Sequence, residues 1–215
     1  DRRNRPFRLS FGAGPSLLDP EFRPVAGRAV SVDGYVGLAW DTRVDRRFPR
    51  RGHRLYVGGS GGVVPGQTAW SRVAGSGILL LPIGGRVAVA SRAGVAFASG
   101  DVAHRLLQLG GSGNVQGLRP DTAVGTIRTT AVTELRWQAL RHSSIPMPLM
   151  WLSDIQLHGG LEAGTLLVSP EDCGVGAANC WRSALGWSGG VLGTADVLGA
   201  RPTSLGIWFA TPITV

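Results

Sequence analysis

The stretch Ile127-Arg128-Thr129-Thr130-Ala131-Val132-Thr133-Glu134-Leu135-Arg136-Trp137-Gln138-Ala139-Leu140 decides the fold. Ile127, Thr129, Ala131, Leu135, Trp137 and Ala139 fall on one parity. Arg128, Thr130, Glu134, Arg136 and Gln138 fall on the other. Successive side chains of a strand point to opposite faces, so a period of two is a strand's signature. The run is also long: globular strands usually have about 5–6 residues, and a tilted membrane-crossing strand needs ~9–11.

The same pattern recurs on both sides of this stretch. In Gly85–Ser99, Val87, Val89, Ala93, Val95 and Phe97 oppose Arg86, Ala88, Ala90, Arg92, Gly94, Ala96 and Ala98. In Ala29–Thr42, Val30, Val32, Val36, Leu38 and Trp40 oppose Ser31, Asp33, Tyr35, Gly37 and Asp41. Leu149, Trp151, Ile155 and Leu157 alternate with Met150, Leu152, Asp154, Gln156 and His158. Phe7, Leu9, Phe11 and Ala13 alternate with Arg8, Ser10 and Gly12, and Leu205, Ile207 and Phe209 with Ser204, Gly206 and Ala210, where Trp208 interrupts. Less regular runs near 53–64, 69–82 and 181–195 bring the total to nine expected strands. One face is bulky and apolar, while the other is small, glycine-rich or charged. A soluble sheet usually turns its bulk to a dry core and its long polar side chains to water. The inverse arrangement predicts an all-β chain forming a transmembrane antiparallel β-barrel wall, greasy outside and wet inside. Trp40, Trp70, Trp137, Trp151 and Trp181 lie near strand ends, where interfacial aromatic girdles sit. Links near 43–51, 83–85, 142–147 and 197–202 are short or turn-like. Those near 18–26, 100–125 and 163–180 are longer, though 65–68 is short; such a difference is that of the periplasmic and extracellular ends of such barrels.

Composition narrows the alternatives. Of 215 residues, 43% are hydrophobic and only 17% charged, which argues against disorder. The 33 Gly show no period of three, so collagen is excluded. The longest apolar run, Ile78–Ile83, contains Pro82 and is far short of the ~20 residues of a spanning helix. All 22 basic residues are Arg; against 14 acids the net charge is +8, with a pI near 11.2. Such a charge first suggests nucleic acid. However, the densest cluster (Arg43, Arg46, Arg47, Arg50, Arg51 and Arg54) surrounds a Phe48-Pro49 turn. A second cluster, Arg2, Arg3, Arg5 and Arg8, opens the chain, and the remaining Arg are scattered along apolar strands. Nucleic acid is therefore not an expected partner, whereas the lipid bilayer is. Anionic headgroups suit the turn cluster. The opening Asp-Arg-Arg-Asn-Arg-Pro is not a signal peptide, which reads as mature protein or as a fragment of something longer.

Four motifs carry a resemblance. Trp40-Asp41-Thr42-Arg43-Val44-Asp45-Arg46-Arg47-Phe48-Pro49-Arg50-Arg51-Gly52 resembles a turn motif of the outer-membrane assembly and two-partner-secretion barrel superfamily, the bacterial surface antigen family. Its matching positions are Asp41, Arg43, Asp45, Phe48, Pro49 and Gly52. Leu109-Gly110-Gly111-Ser112-Gly113-Asn114-Val115-Gln116-Gly117-Leu118 resembles that family's loop signature. Thr133-Glu134-Leu135-Arg136 and Leu152-Ser153-Asp154-Ile155-Gln156 resemble two of its later strands. The resemblance covers residue 27 to the end and implies a loop folded back into the barrel lumen. The family's loop holds an Arg against the acid of the strand motif; here Gln116 occupies that place, Leu118 replaces the loop aromatic, and Gln156 replaces the strand-motif Gly. The loop lock is thus expected at Val115, Gln116, Gly117 and Leu118. Gln116 is expected to donate to Asp154 or Glu134, while Arg136 and Arg119 make charged contacts. Family barrels have sixteen strands, so nine match the C-terminal part. Residues 1–215 are expected to form one barrel domain without periplasmic repeats. Its two open edges would be closed by missing segments, a second copy or another subunit.

Cys173 and Cys180 bracket an expected extracellular loop and predict a disulfide in an oxidising compartment. His53, His104, His142 and His158 have no converging partners and read as lumen or turn residues. The Gly59-Ser60-Gly61 and Gly75-Ser76-Gly77 runs sit inside strands rather than at a nucleophile elbow, so neither catalysis nor a metal or cofactor is expected. The implied function is that of a Gram-negative outer-membrane barrel inserting, translocating or scaffolding other outer-membrane proteins. Alternatives are a scaffold subunit without transport activity, a membrane anchor for a separate lipase-type enzyme, or a simple pore.

Overall fold

A computed structural model describes residues 6–18, 29–43, 49–63, 69–100, 107–110, 115–119, 123–141, 145–148, 150–168, 173, 180–197 and 203–214. The described elements are all strands. They are β1 (Phe7–Leu18), β2 (Ala29–Asp41), β3 (Gly52–Val63), β4 (Ala69–Pro82), β5 (Val87–Ser99), β6 (Leu107–Gln108), β7 (Val124–Gly125), β8 (Ile127–Leu140), β9 (Ile145–Met147), β10 (Met150–Val168), β11 (Cys180–Val197) and β12 (Thr203–Thr214). Nine of them form one path, β1-β2-β3-β4-β5-β8-β10-β11-β12, with β9 folded back on β10 and β6-β7 forming a separate ribbon. Every neighbouring pair is antiparallel. The path is not closed: β1 and β12 are its two ends.

The nine expected strands are all present, and two run longer than the pattern suggested. β1 continues through Pro15 to Leu18, and β10 passes Gly159-Gly160 to reach Val168. Two glycines remove the side chains on which an alternation is read, yet they leave the backbone ladder intact. Gly159 pairs with Leu135 and Gly189, and Gly160 with Glu134 and Ser188. The pairing of β10 shifts register twice, between Leu152 and Asp154 against β11 and between Ile155 and Gln156 against β8.

The expected parity survives in three dimensions except at Trp70 on β4 and at the start of β10, where a register shift reverses it. On one face of β8, Leu135 is 52% and Trp137 46% exposed, while Val132, Glu134 and Gln138 on the other face are buried. Phe7, Leu9, Phe11, Val36, Leu38, Val57, Val73, Leu79, Val95, Phe97, Leu161, Trp187, Val191, Ile207 and Phe209 continue the exposed apolar face from edge to edge. This is the arrangement expected from the sequence, and it leaves no dry core on the bulky side. The hydrophobic core lies on the opposite face, where Leu107, Leu109, Val115, Leu118 and Ala123 pack against Ala96, Leu166, Val168 and Ala184.

Four links join strands at one end of the sheet (42–51, 83–86, 141–149, 198–202) and four at the other (19–28, 64–68, 100–126, 169–179). The first is called the turn end and the second the loop end. Trp40 and Trp137 face outward at the turn end, and Trp181 is exposed at the loop end. Trp151, expected in the girdle, is exposed but pairs with Asp196 on the inner parity, because the register shift beyond Leu152 places Leu152 beside Gly193 on the outer face. Trp70 does not belong to a girdle. It shares its parity with Arg72 and Ala74 on the inner face and is 5% exposed. The irregular alternation of β4, whose inner face also carries Ile78 and Leu80, hid that orientation.

Candidate functional site

The turn motif forms a compact knot at the turn end. Asp41 ends β2, and its carboxylate accepts both Arg43 Nε (2.9 Å) and Nη2 (2.8 Å), plus the Arg43 backbone N–H (3.1 Å). These hydrogen bonds raise the Arg43 pKa above its ordinary value; desolvation opposes them, and the Asp41 charge adds to them. The backbone N–H of Thr42 donates to the His53 carbonyl (2.9 Å), and that of His53 to the Thr42 hydroxyl (3.1 Å). Gly52 adopts φ +106°, and a Cβ there would lie 2.7 Å from the Thr42 oxygen, so only glycine closes this turn without strain. Pro49 is buried, and Arg50 Nη2 donates to the Gly84 carbonyl, tying this turn to its neighbour. Asp45 and Phe48 lie outside the described residues. The motif is therefore a structural clasp. The His53 ring sits edge-on to Trp40, which stacks on Phe7 across the β1–β2 pair.

The loop between β5 and β8 turns inward. β6 and β7 pair at its base, Arg128 Nη1 donates to the Gln108 carbonyl (2.9 Å), and the Leu109 N–H donates to Ala123 (3.2 Å). The backbone bridge of Gly110 with Val115 narrows it into a neck. Val115 is wholly buried and Leu118 nearly so. Gly117 lies so close to β12 that a Cβ would fall 2.4 Å from the Thr211 carbonyl carbon. The loop thus spans the inner face from β5 towards β12.

Among the described residues the acceptor that holds Gln116 is Glu162, not Asp154 or Glu134. Glu162 Oε2 accepts the backbone N–H of Gln116 at 2.6 Å, and Oε1 accepts the Ser188 hydroxyl at 2.6 Å. The carboxylate is 1% exposed. The expected bond from the Gln116 side chain is replaced by one from its backbone. Depth explains the change of partner. Glu162 is six residues from the loop end of β10, about 20 Å along the strand, whereas Asp154 is fourteen residues away, about 46 Å. A loop entering from that end meets Glu162 first. The sequence signal for Glu162 was its parity with Asp154 and Gln156, which becomes readable once β10 is continued through the two glycines.

Glu134, Arg136 and Asp154 are gathered elsewhere, in the wall itself. Glu134 Oε2 accepts Arg136 Nε (3.0 Å) and Nη2 (2.7 Å), and Oε1 lies 3.3 Å from Arg92 Nη2. His158 Nδ1 is 3.9 Å from the same carboxylate, and its ring meets Trp208 edge-on. His158 is therefore enclosed between wall and β12 rather than solvated. Gln138 Nε2 donates weakly to Asp154 Oδ1 (3.4 Å). Charge-assisted bonds of this kind join β5, β8 and β10. Beside the loop, a cavity of about 250 Å³ is lined by Tyr56, Ser76, Arg92, Arg128 and Thr130. His104 and His142 lie outside the described residues.

Cys173 and Cys180 form the expected disulfide at the mouth of β10 and β11. Among the described residues no three His, Cys, Asp or Glu groups gather in a metal-binding cluster. The chain matches no protein-family model and no curated protein.

Proposed function

We propose that this chain is part of the wall of a bacterial outer-membrane β-barrel resembling the assembly and secretion superfamily, and that it scaffolds or anchors other outer-membrane proteins. The observation that carries the reading is the inverted sheet: large apolar side chains exposed on one face, and carboxylates, guanidiniums and glycines on the other. Monomeric soluble proteins rarely expose contiguous apolar patches beyond a few hundred Å². Lipid tails supply the missing cover. The dimensions agree, since Ile127 and Trp137 are ten residues apart, about 33 Å along the strand. At a tilt of about 40° this spans roughly 25 Å, the height of the apolar band of such barrels.

Within that reading the inward loop favours a scaffold over an open pore. Its apolar side chains pack dry against β10 and β11, and its backbone is held by a buried carboxylate. Flotation with phospholipid vesicles tests the membrane assignment. The chain is expected to float with them and to have its Trp187 fluorescence quenched by brominated acyl chains. A monodisperse, detergent-free solution species overturns it. Planar-bilayer recording tests the scaffold. No steady large conductance is expected, and a wide open channel overturns the closed reading.

A further inference from the structure

The links at the two ends of the sheet differ sharply in charge. The four turn-end links hold eight Arg and one Asp, whereas the four loop-end links hold four Arg and six acids. Almost the whole +8 of the chain is therefore concentrated at one end. Among the described residues there, Asp41 is engaged by Arg43, and Arg50 braces the neighbouring turn. Arg51 and Arg86 are exposed and have no acidic partner among the described residues, whereas Arg54 shares the inner parity of Tyr56 and pairs with Asp41 across β2 and β3. Arg141 is also exposed. The same end carries the outward aromatic side chains Phe7, Trp40 and Trp137. Amphipathic rings settle at the headgroup level of a bilayer, so these Arg lie at the height of the lipid phosphates.

We infer that the turn-end rim is a binding surface for the phosphates of anionic phospholipid headgroups and sets the direction in which the sheet crosses the bilayer. The inference rests on the membrane reading above and adds the lipid class and the orientation. Guanidinium matches phosphate in a forked, two-bond geometry. Arg stems can also run along apolar surface while the head stays wet. The acid-rich links of the opposite end provide no comparable attraction, so the two ends are not interchangeable.

The test uses the full chain mixed with vesicles of phosphatidylcholine alone, and of phosphatidylcholine with phosphatidylglycerol, at low and high salt. Wild type is expected to partition more tightly into the anionic vesicles, with roughly a fivefold contribution from each Arg near the surface, and to lose that preference at high salt. The double variant R51Q/R86Q is expected to keep its partition into neutral vesicles and lose roughly 25-fold of the anionic preference, while R182Q at the loop end keeps it. Equal partition of wild type into both vesicles, or an unchanged preference in the double variant, overturns the rim and leaves the membrane reading standing. Abolition of the preference by millimolar inorganic phosphate at constant ionic strength also overturns it, in favour of a free-phosphate site. Failure to float with either vesicle overturns the membrane reading itself.

Discussion

Glu162 carries the inward loop through a bond that ignores side-chain identity. Its oxygens take a backbone N–H and a serine hydroxyl, so replacing Gln116 with Ala leaves the bond in place. Gln116→Ala is expected to change loop protection by less than about 0.5 kcal/mol. Gln116→Pro deletes the donor and strands a buried carboxylate, at a cost of roughly 1–3 kcal/mol. Glu162→Ala is expected to match Gln116→Pro. Limited proteolysis near residue 116 reads all three, and the contradictory outcome is Gln116→Ala opening the loop as widely as Gln116→Pro. At the turn end, Gly52→Ala puts a side chain into φ +106° and against the Thr42 carbonyl. A loss of about 1–3 kcal/mol is expected, measured as a lower urea midpoint in lipid or detergent. The turn motif, with its clasp of Asp41, Arg43 and Gly52, was legible in the sequence because its contacts join residues close along the chain. The loop's acceptor was not, because it depends on how far an entering loop penetrates before meeting a carboxylate.

At the scale of the strand, outward parity makes a sharp claim. Ala131 faces outward midway between Ile127 and Trp137. Ala131→Arg is expected to destabilise the chain by about 2–4 kcal/mol in vesicles if that face meets lipid. Were the face water-exposed, the change would stay within about 0.5 kcal/mol; equilibrium unfolding in lipid separates the two. Where β10 passes into β11, the Cys173–Cys180 disulfide closes a short loop. Its removal is expected to cost about 2 kcal/mol by the chain-entropy account, read as the shift in unfolding midpoint between oxidised protein and the Cys173→Ser/Cys180→Ser variant. Strand parity was readable because alternation is local. The length of β10 was not, because Gly159 and Gly160 erase the pattern while keeping the ladder. Trp70 misled for a related reason: its strand carries bulk on both faces, so only pairing with β3 and β5 reveals its direction.

For the molecule as a whole, the number of strands constrains what can close the sheet. The path has nine strands, every neighbouring pair antiparallel, so β1 and β12 run in the same direction. They cannot meet as an antiparallel pair; closure needs an odd number of added strands, or a second copy meeting edge to edge. An open edge exposes backbone groups that lipid cannot satisfy. The 22.5 kDa chain is therefore expected to associate in detergent, either with itself or with a partner. Light scattering checks this, and a monodisperse monomer whose β1 and β12 amides are all protected from exchange contradicts it.

The sequence by itself determined the strands, their two faces and the charge of the links between them, because a period of two and the order of links are properties of the chain alone. Only the tertiary structure decided that Glu162 holds the loop and that Trp70 and Trp151 turn inward. Each of these depends on which distant residues share a depth and a face, and that is set by register across strands that local alternation does not encode.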